Sequence, residues 1–193
     1  MPVNFLDPQA AEVFVRAAFA EQPERLRHIL VVAEHVRQSA REIAARHPTA
    51  PVDEVLAYCA ALVHDIGYLP QARETDFHPL DGYRFLCTHG AESLARRIVG
   101  HSCSPEEAAL RGLSLPEGLE DLAAQLITCW DMRVKQGGEV VTYEERLGDI
   151  LHRYGEESVV GRANCLARPR IQRIIDSLEG LWKDSPRGLE KGG

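Results

Sequence analysis

The chain has 193 residues, 45% hydrophobic and 6% aromatic, which suits one compact domain with its own core and argues against two. Its 22 basic and 29 acidic residues leave a net charge of -7, so neither a nucleic acid polymer nor an anionic membrane is an expected partner, whereas a small phosphorylated ligand needs only a few local cations. No basic stretch leads into an apolar run and no span of about 18 apolar residues occurs, so no signal peptide or membrane span is expected and a cytoplasmic location is.

Apolar residues recur at helical spacing almost throughout, which predicts an all-α, single-domain helical bundle over 1–183 with a disordered tail at 184–193. Asp7 and Pro8 start a first helix that runs to about Glu21. A second runs from about Glu24 to His47, where Pro48 ends it. Ile29, Val32, Val36, Ala40 and Ile43 form its apolar stripe, opposite Glu34, Arg37, Gln38 and Arg41. Pro51 opens a third with Asp53 and Glu54 in its first turn; from Val55 to Val63 it is apolar on every side, the pattern of a buried element, and Gly67 stops it. Shorter helices follow at about Pro79 to His89 and Ala91 to His101, and Ser104 with Glu107 forms a capping box for another. A turn at 115–118 precedes a helix from about Leu119 to Met132, and Gly137-Gly138 make a break. Thr142 with Glu145 is a second capping box, opening a helix to about Tyr154 that Gly155 ends. The last helix runs from about Ser158 to Trp182, interrupted near Pro169. Five cysteines, an odd count without CxxC spacing, fit reduced thiols.

Eight histidines need sorting by position. His47, His89 and His152 lie near helix stops, where an imidazolium complements the negative end of the dipole, a structural or surface role. His35 follows His28 by seven residues, about 10 Å along the axis at ~1.5 Å per residue, so the two cannot easily share one ion and packing suits His35 better. His64 and Asp65 end the helix that is apolar all round. A buried carboxylate needs a cation or a metal, and no Lys or Arg lies between Val52 and Pro70 to serve locally; a capping Asp with a hydrogen-bonded His is the alternative. Asp131 follows Ala124, Ile127 and Thr128 on one face and sits where the helix dipole repels a carboxylate. His28 lies beside the buried stripe of its own helix. Two imidazoles and two carboxylates from three helices make a nitrogen and oxygen donor set suited to a divalent transition ion. Cys103 and Cys129 lie two residues from candidate ligands but have no second cysteine nearby, as expected of buried thiols.

His28 within RLRHILVVA, the pair His64-Asp65 within HDIG, and Asp131 within WDMR, followed by VVTYEERLGDI, together resemble the H…HD…D signature of the HD-domain metal-dependent phosphohydrolases, an all-helical superfamily. The resemblance covers about residues 24–155, the core of the expected domain, and implies a metal held by His28, His64, Asp65 and Asp131. It also implies a reading of His78 and His101 as ligands of a second metal, with Asp65 bridging; His78 as a helix cap and His101 as a dipole partner or substrate contact is the other reading. Some nucleotidase-like members carry Glu, and cyclic-dinucleotide phosphodiesterases Lys, three residues after the HD aspartate, where this chain has Tyr68. HPLDGYRF also departs from the extended GYP signature of the latter group, so neither specific activity is expected.

The activity the resemblance implies is hydrolysis of a phosphomonoester or phosphodiester of a small, nucleotide-like substrate, with Asp65 in the catalytic centre. The divalent ion (Mn, Fe, Ni, Co or Mg, one or two) lowers the pKa of a water that attacks phosphorus. Arg25, Arg133 and Lys135 are candidate phosphate-binding cations, and His101 is the candidate general acid where it is not a ligand. Two other readings share the donor set: a di-iron oxygenase cleaving C–C or C–P bonds, and a non-catalytic binding module that retains its metal.

Overall fold

The computed structural model describes residues 3–183, so the expectation of a disordered tail at 184–193 lies outside the described residues. Among the described residues there are nine α-helices and no strand, only an isolated antiparallel bridge between Val134 and Val140. None of these helices is long and apolar enough to cross a membrane.

α1 (Pro8–Ala18) begins where the Asp7 carboxylate accepts from the backbone N–H groups of Gln9 and Ala10, and α2 (Pro23–Arg46) begins on a proline whose missing N–H costs nothing at that position. α3 (Glu54–Leu62) packs against α1, α2, α5 and α7, which buries every residue from Ala57 to Leu62, while Val55 in its first turn stays exposed, against the expectation of a helix buried from Val55 on. α4 (His78–Thr88), α5 (Glu92–Ile98), α6 (Ser104–Arg111) and α7 (Leu122–Asp131) follow. α8 (Tyr143–Tyr154) and the long α9 (Val159–Lys183) close the chain, with α9 resting on α6, α7 and α8. The Thr142–Glu145 capping box of α8 is formed in both directions. All five cysteines are free; burial pushes the Cys129 thiol up to about 11 and the Cys103 thiol further, so both stay protonated.

Five other sequence expectations are corrected. Pro51 lies outside α3, whose N-cap is Asp53. Gly67 does not stop α3, which ends at Leu62; it sits inside a 3-10 turn, Ile66–Tyr68, where the backbone of α4 comes too close for any side chain. Ser104 is the first helical residue of α6 and its hydroxyl donates back to the His101 carbonyl at 2.5 Å, so the capping box expected there is absent. Residues 113–120 are irregular rather than a tight turn. Pro169 does not interrupt α9, because both Pro169 and Cys165, the residue four back whose carbonyl loses its partner, are exposed to water. The break at Gly137-Gly138 is real, with φ of 87° and 86°.

Candidate metal centre

Helix ends build the site. His28 comes from the second turn of α2, His64 and Asp65 from the turn after α3, His78 from the first residue of α4, His101 from just past α5, and Asp131 from the last residue of α7. Side-chain donors can therefore converge while the helix bodies diverge into the core. One donor atom each from His28, His64 and Asp65 lie within 4.8 Å of one another, and the same holds for Asp65, His78 and His101, so Asp65 belongs to both groups. Asp131 faces them: its Oδ1 is 3.1 Å from His28 Nε2 and 3.9 Å from His64 Nε2, and its Oδ2 is 3.8 Å from His101 Nε2.

Backbone carbonyls decide which nitrogen each ring presents. His64 Nδ1 lies 2.7 Å from the Ala61 carbonyl, His101 Nδ1 2.5 Å from the Ile98 carbonyl and His28 Nδ1 3.3 Å from the Lys135 carbonyl. A carbonyl oxygen only accepts, so each Nδ1 carries the hydrogen, and in the neutral ring Nε2 keeps its lone pair toward the cluster. His64 Nε2 is buried without a hydrogen-bond partner among the described residues. An orphaned lone pair in a dry interior, surrounded by carboxylates, is what a cation would satisfy, so the donor set fits a divalent ion.

The carboxylates are held in place and kept ionised. Arg25 Nη1 donates to Asp65 Oδ2 at 2.6 Å, leaving Oδ1 toward His64 and His78 at 3.6 and 3.7 Å. Burial alone pushes the Asp65 carboxyl up, but His64, Arg25 and His78 together outweigh it and hold it below the usual range. Burial is likewise outweighed at Asp131, by the adjacent His28 ring and by His64. Ser102, in the left-handed region at φ 52°, donates its hydroxyl to Asp131 Oδ2; its N–H donates to Thr128 Oγ1 and its carbonyl accepts from Arg170 at 2.5 Å. Two ties hold a strained backbone whose product is the hydroxyl's hydrogen bond to a candidate ligand.

Burial depresses the imidazoles, His78 down to about 3 and His64 below its ordinary value. Between that value and the ordinary ~6.5 the unfolded chain binds protons that the folded chain refuses, so this stability is present above ~6.5 and lost as pH falls. The metal-free protein is therefore expected to show a Tm that drops steadily from pH 7 to about pH 5, before the carboxylates titrate. A flat Tm across that window, by calorimetry in matched buffers, would contradict the burial of these rings.

The cluster opens into a cavity of about 280 Å³. Of the three cations expected to bind phosphate, the structure brings only Arg25 to it. Arg133, two residues past the end of α7, turns toward α9 and pairs with Glu179 at 2.6 Å, and Lys135 Nζ pairs with Glu139 at 3.2 Å on the surface, contributing only its carbonyl to His28. Sequence reasoning missed Arg146, Arg153 and Asn164, which line the cavity from α8 and α9. The signal available was Arg146, Ile150 and Arg153 at spacings of four and three on one helix face. For Ser102 no signal exists in the sequence. His35 is stacked on Trp130 at 4.2 Å, away from the cluster.

The family model described as HD domain matches residues 25–134, which contain every donor of the cluster. No curated protein and no solved structure matches the chain.

Proposed function

The chain belongs to the HD-domain family, and from that premise we propose that it is a metal-dependent phosphoric ester hydrolase cleaving a phosphomonoester or phosphodiester of a small substrate. The observation that carries the reading is Asp65, shared between the two three-donor groups beside the cavity. His28, His64, Asp65 and Asp131 would hold one ion, with His78 and His101 available to a second beside Asp65. A bound divalent ion (Mn, Fe, Ni, Co or Mg) supplies a water of near-neutral pKa and polarises a phosphoryl oxygen.

The chain's own residues supply the rest. Arg25 lies with its guanidinium 3.5 Å over the Tyr68 ring, which fixes its plane, and only Nη1 is committed to Asp65, so its other N–H groups are free for phosphate oxygens. Guanidiniums and carboxylates are equal in number along the cavity wall, five of each, and burial keeps the His78 imidazole on it neutral. A cavity balanced in this way becomes positive with each divalent ion and then suits an anionic ester. His101 keeps Nδ1 on the Ile98 carbonyl, so any proton it exchanges with substrate passes through Nε2. The volume of about 280 Å³ favours a small ester over a whole nucleotide.

Elemental analysis of protein purified without added metal, followed by a phosphoester screen with Mn, Mg, Ni, Co and Fe, tests this reading. The expected result is a co-purifying divalent metal and metal-dependent turnover of at least one ester. Intact metal and tight ligand binding with no ester cleaved would favour a binding module instead. The shared Asp65 equally suits two irons in a di-iron oxygenase; iron content with oxygen-dependent substrate loss would decide for it.

A further inference from the structure

One wall of the cavity is built outside the matched segment. Arg146, Ile150 and Arg153 reach it from one face of α8, and Val160 and Asn164 reach it four residues apart on α9. We propose that this wall is a selectivity subsite for a second anionic group: the substrate is a phosphoester on a short carbon skeleton that also carries a carboxylate or a second phosphate, gripped by Arg146. The inference rests on the phosphoester reading of the His/Asp cluster.

Charge is the first argument. Arg146 and Arg153 share one carboxylate, Asp149 Oδ2, at 3.0 and 3.6 Å, so α8 brings one uncompensated positive charge to the cavity. Of the other carboxylates on the wall, Glu107 pairs with Arg111 at 2.7 Å and Asp76 with Arg73 at 3.5 Å, while Asp81 accepts from the N–H and hydroxyl of Thr75 through Oδ1 alone and its Oδ2 has no partner among the described residues. Burial is the second. Arg146 is only 8% exposed, and its Nε has no partner among the described residues. A buried guanidinium with spare donors is costly unless an anion completes it, and its planar fork matches carboxylate and phosphate.

Shape and polarity define the remainder of the ligand. Ile150, Val160 and Met132 offer apolar surface for a carbon skeleton, and about 280 Å³ lies just under the common ~300–1,000 Å³ of small-molecule sites, which limits that skeleton to a few carbons. Asn164 is 2% exposed and commits Nδ2 to the Val160 carbonyl at 2.9 Å and to Cys103 Sγ at 3.2 Å. Its Oδ1 has no partner among the described residues, so it accepts from a hydroxyl or ammonium group on the ligand.

The test compares 2-phosphoglycerate with glycerol 2-phosphate, two esters of matched size that differ by a carboxylate in place of a hydroxymethyl group. Affinity is read on the full manganese-loaded chain, as KM where an ester turns over and as a calorimetric Kd where it does not. Wild type is expected to prefer the carboxylate ester by about tenfold or more, the scale of one charge-assisted contact. Arg146→Gln is expected to bring the ratio near one, and Arg153→Gln to lower it by less. A wild-type ratio near one, or an unchanged ratio in an Arg146→Gln protein that keeps its Tm and manganese, overturns the subsite. Should Arg146→Gln fail to fold, an unchanged ratio in Arg153→Gln overturns it equally. Preference without hydrolysis upholds the subsite while removing the hydrolase reading; hydrolysis without preference does the reverse.

Discussion

Asp65→Ala is expected to strip the protein of divalent metal and of phosphoester turnover together. Asp65 is the one residue common to both three-donor groups, so its loss leaves His28, His64 and Asp131 on one side, a donor short, and His78 with His101 on the other, each group without its shared carboxylate. The change also removes the partner of Arg25, whose side chain is 17% exposed; breaking a largely buried pair from one side costs up to about 3–5 kcal/mol, because the other charge stays behind. Elemental analysis, a melting curve and a turnover assay on the same preparation check all three consequences. His35→Ala is the matched control. It removes a ring stacked on Trp130, a contact worth about 0.5–1.5 kcal/mol, and touches no donor, so metal and activity are expected to survive a modest fall in Tm. A His35 variant that lost its metal, with an Asp65 variant that kept it, would show that the donors have been misassigned.

The second large effect is expected from the smallest change, Gly67→Ala. A Cβ on Gly67 would stand 1.9 Å from the His78 carbonyl oxygen and 2.7 Å from the Gly82 nitrogen, where ordinary contacts begin at 3.4 Å. Both obstacles are backbone of α4, so no rotamer relieves the clash and either the 3-10 turn or the helix must move. Overpacking of this kind costs about 1–3 kcal/mol where side chains can yield, and more here. At about 2–4 °C per kcal/mol for a chain of this size, the Tm should fall by at least about 5 °C. Because α4 starts at His78, the shift also draws that ring from Asp65, so any second ion is expected to be lost before the first. A Tm within about 1 °C of wild type would mean that the turn and α4 have room to part.

The contrast between these residues shows what a linear reading can reach. Helix starts were legible at Asp7 and in the Thr142–Glu145 pair, where a side chain caps its own backbone within three residues, whereas Asp53 and Asp121 cap α3 and α7 in the same way and were read as lying inside them. His64 and Asp65 stood out because an ionisable pair ending an all-apolar helix must answer for its burial. Arg133 was misread because its direction depends on Glu179 of α9, 46 residues away, and proximity along the chain to Asp131 carried no information about facing. Ser104 failed as a cap because the preceding residues turn so that its hydroxyl meets the His101 carbonyl. Asn164 was invisible as a cavity residue, and the shared face of Arg146 and Arg153 could not be aimed at the cavity, for the same reason as Arg133: they matter only once α8 and α9 fold back over the ends of other helices.

The Nδ1 contacts of His64 and His101 share one plan. Each ring leans on the carbonyl exactly three residues behind it, Ala61 and Ile98 respectively. The aim of both lone pairs is thus written into two short peptides rather than into the packing between distant helices. Tertiary contacts have only to bring two already aimed rings together, and a small slide of one helix on another changes how far apart they stand without turning either away.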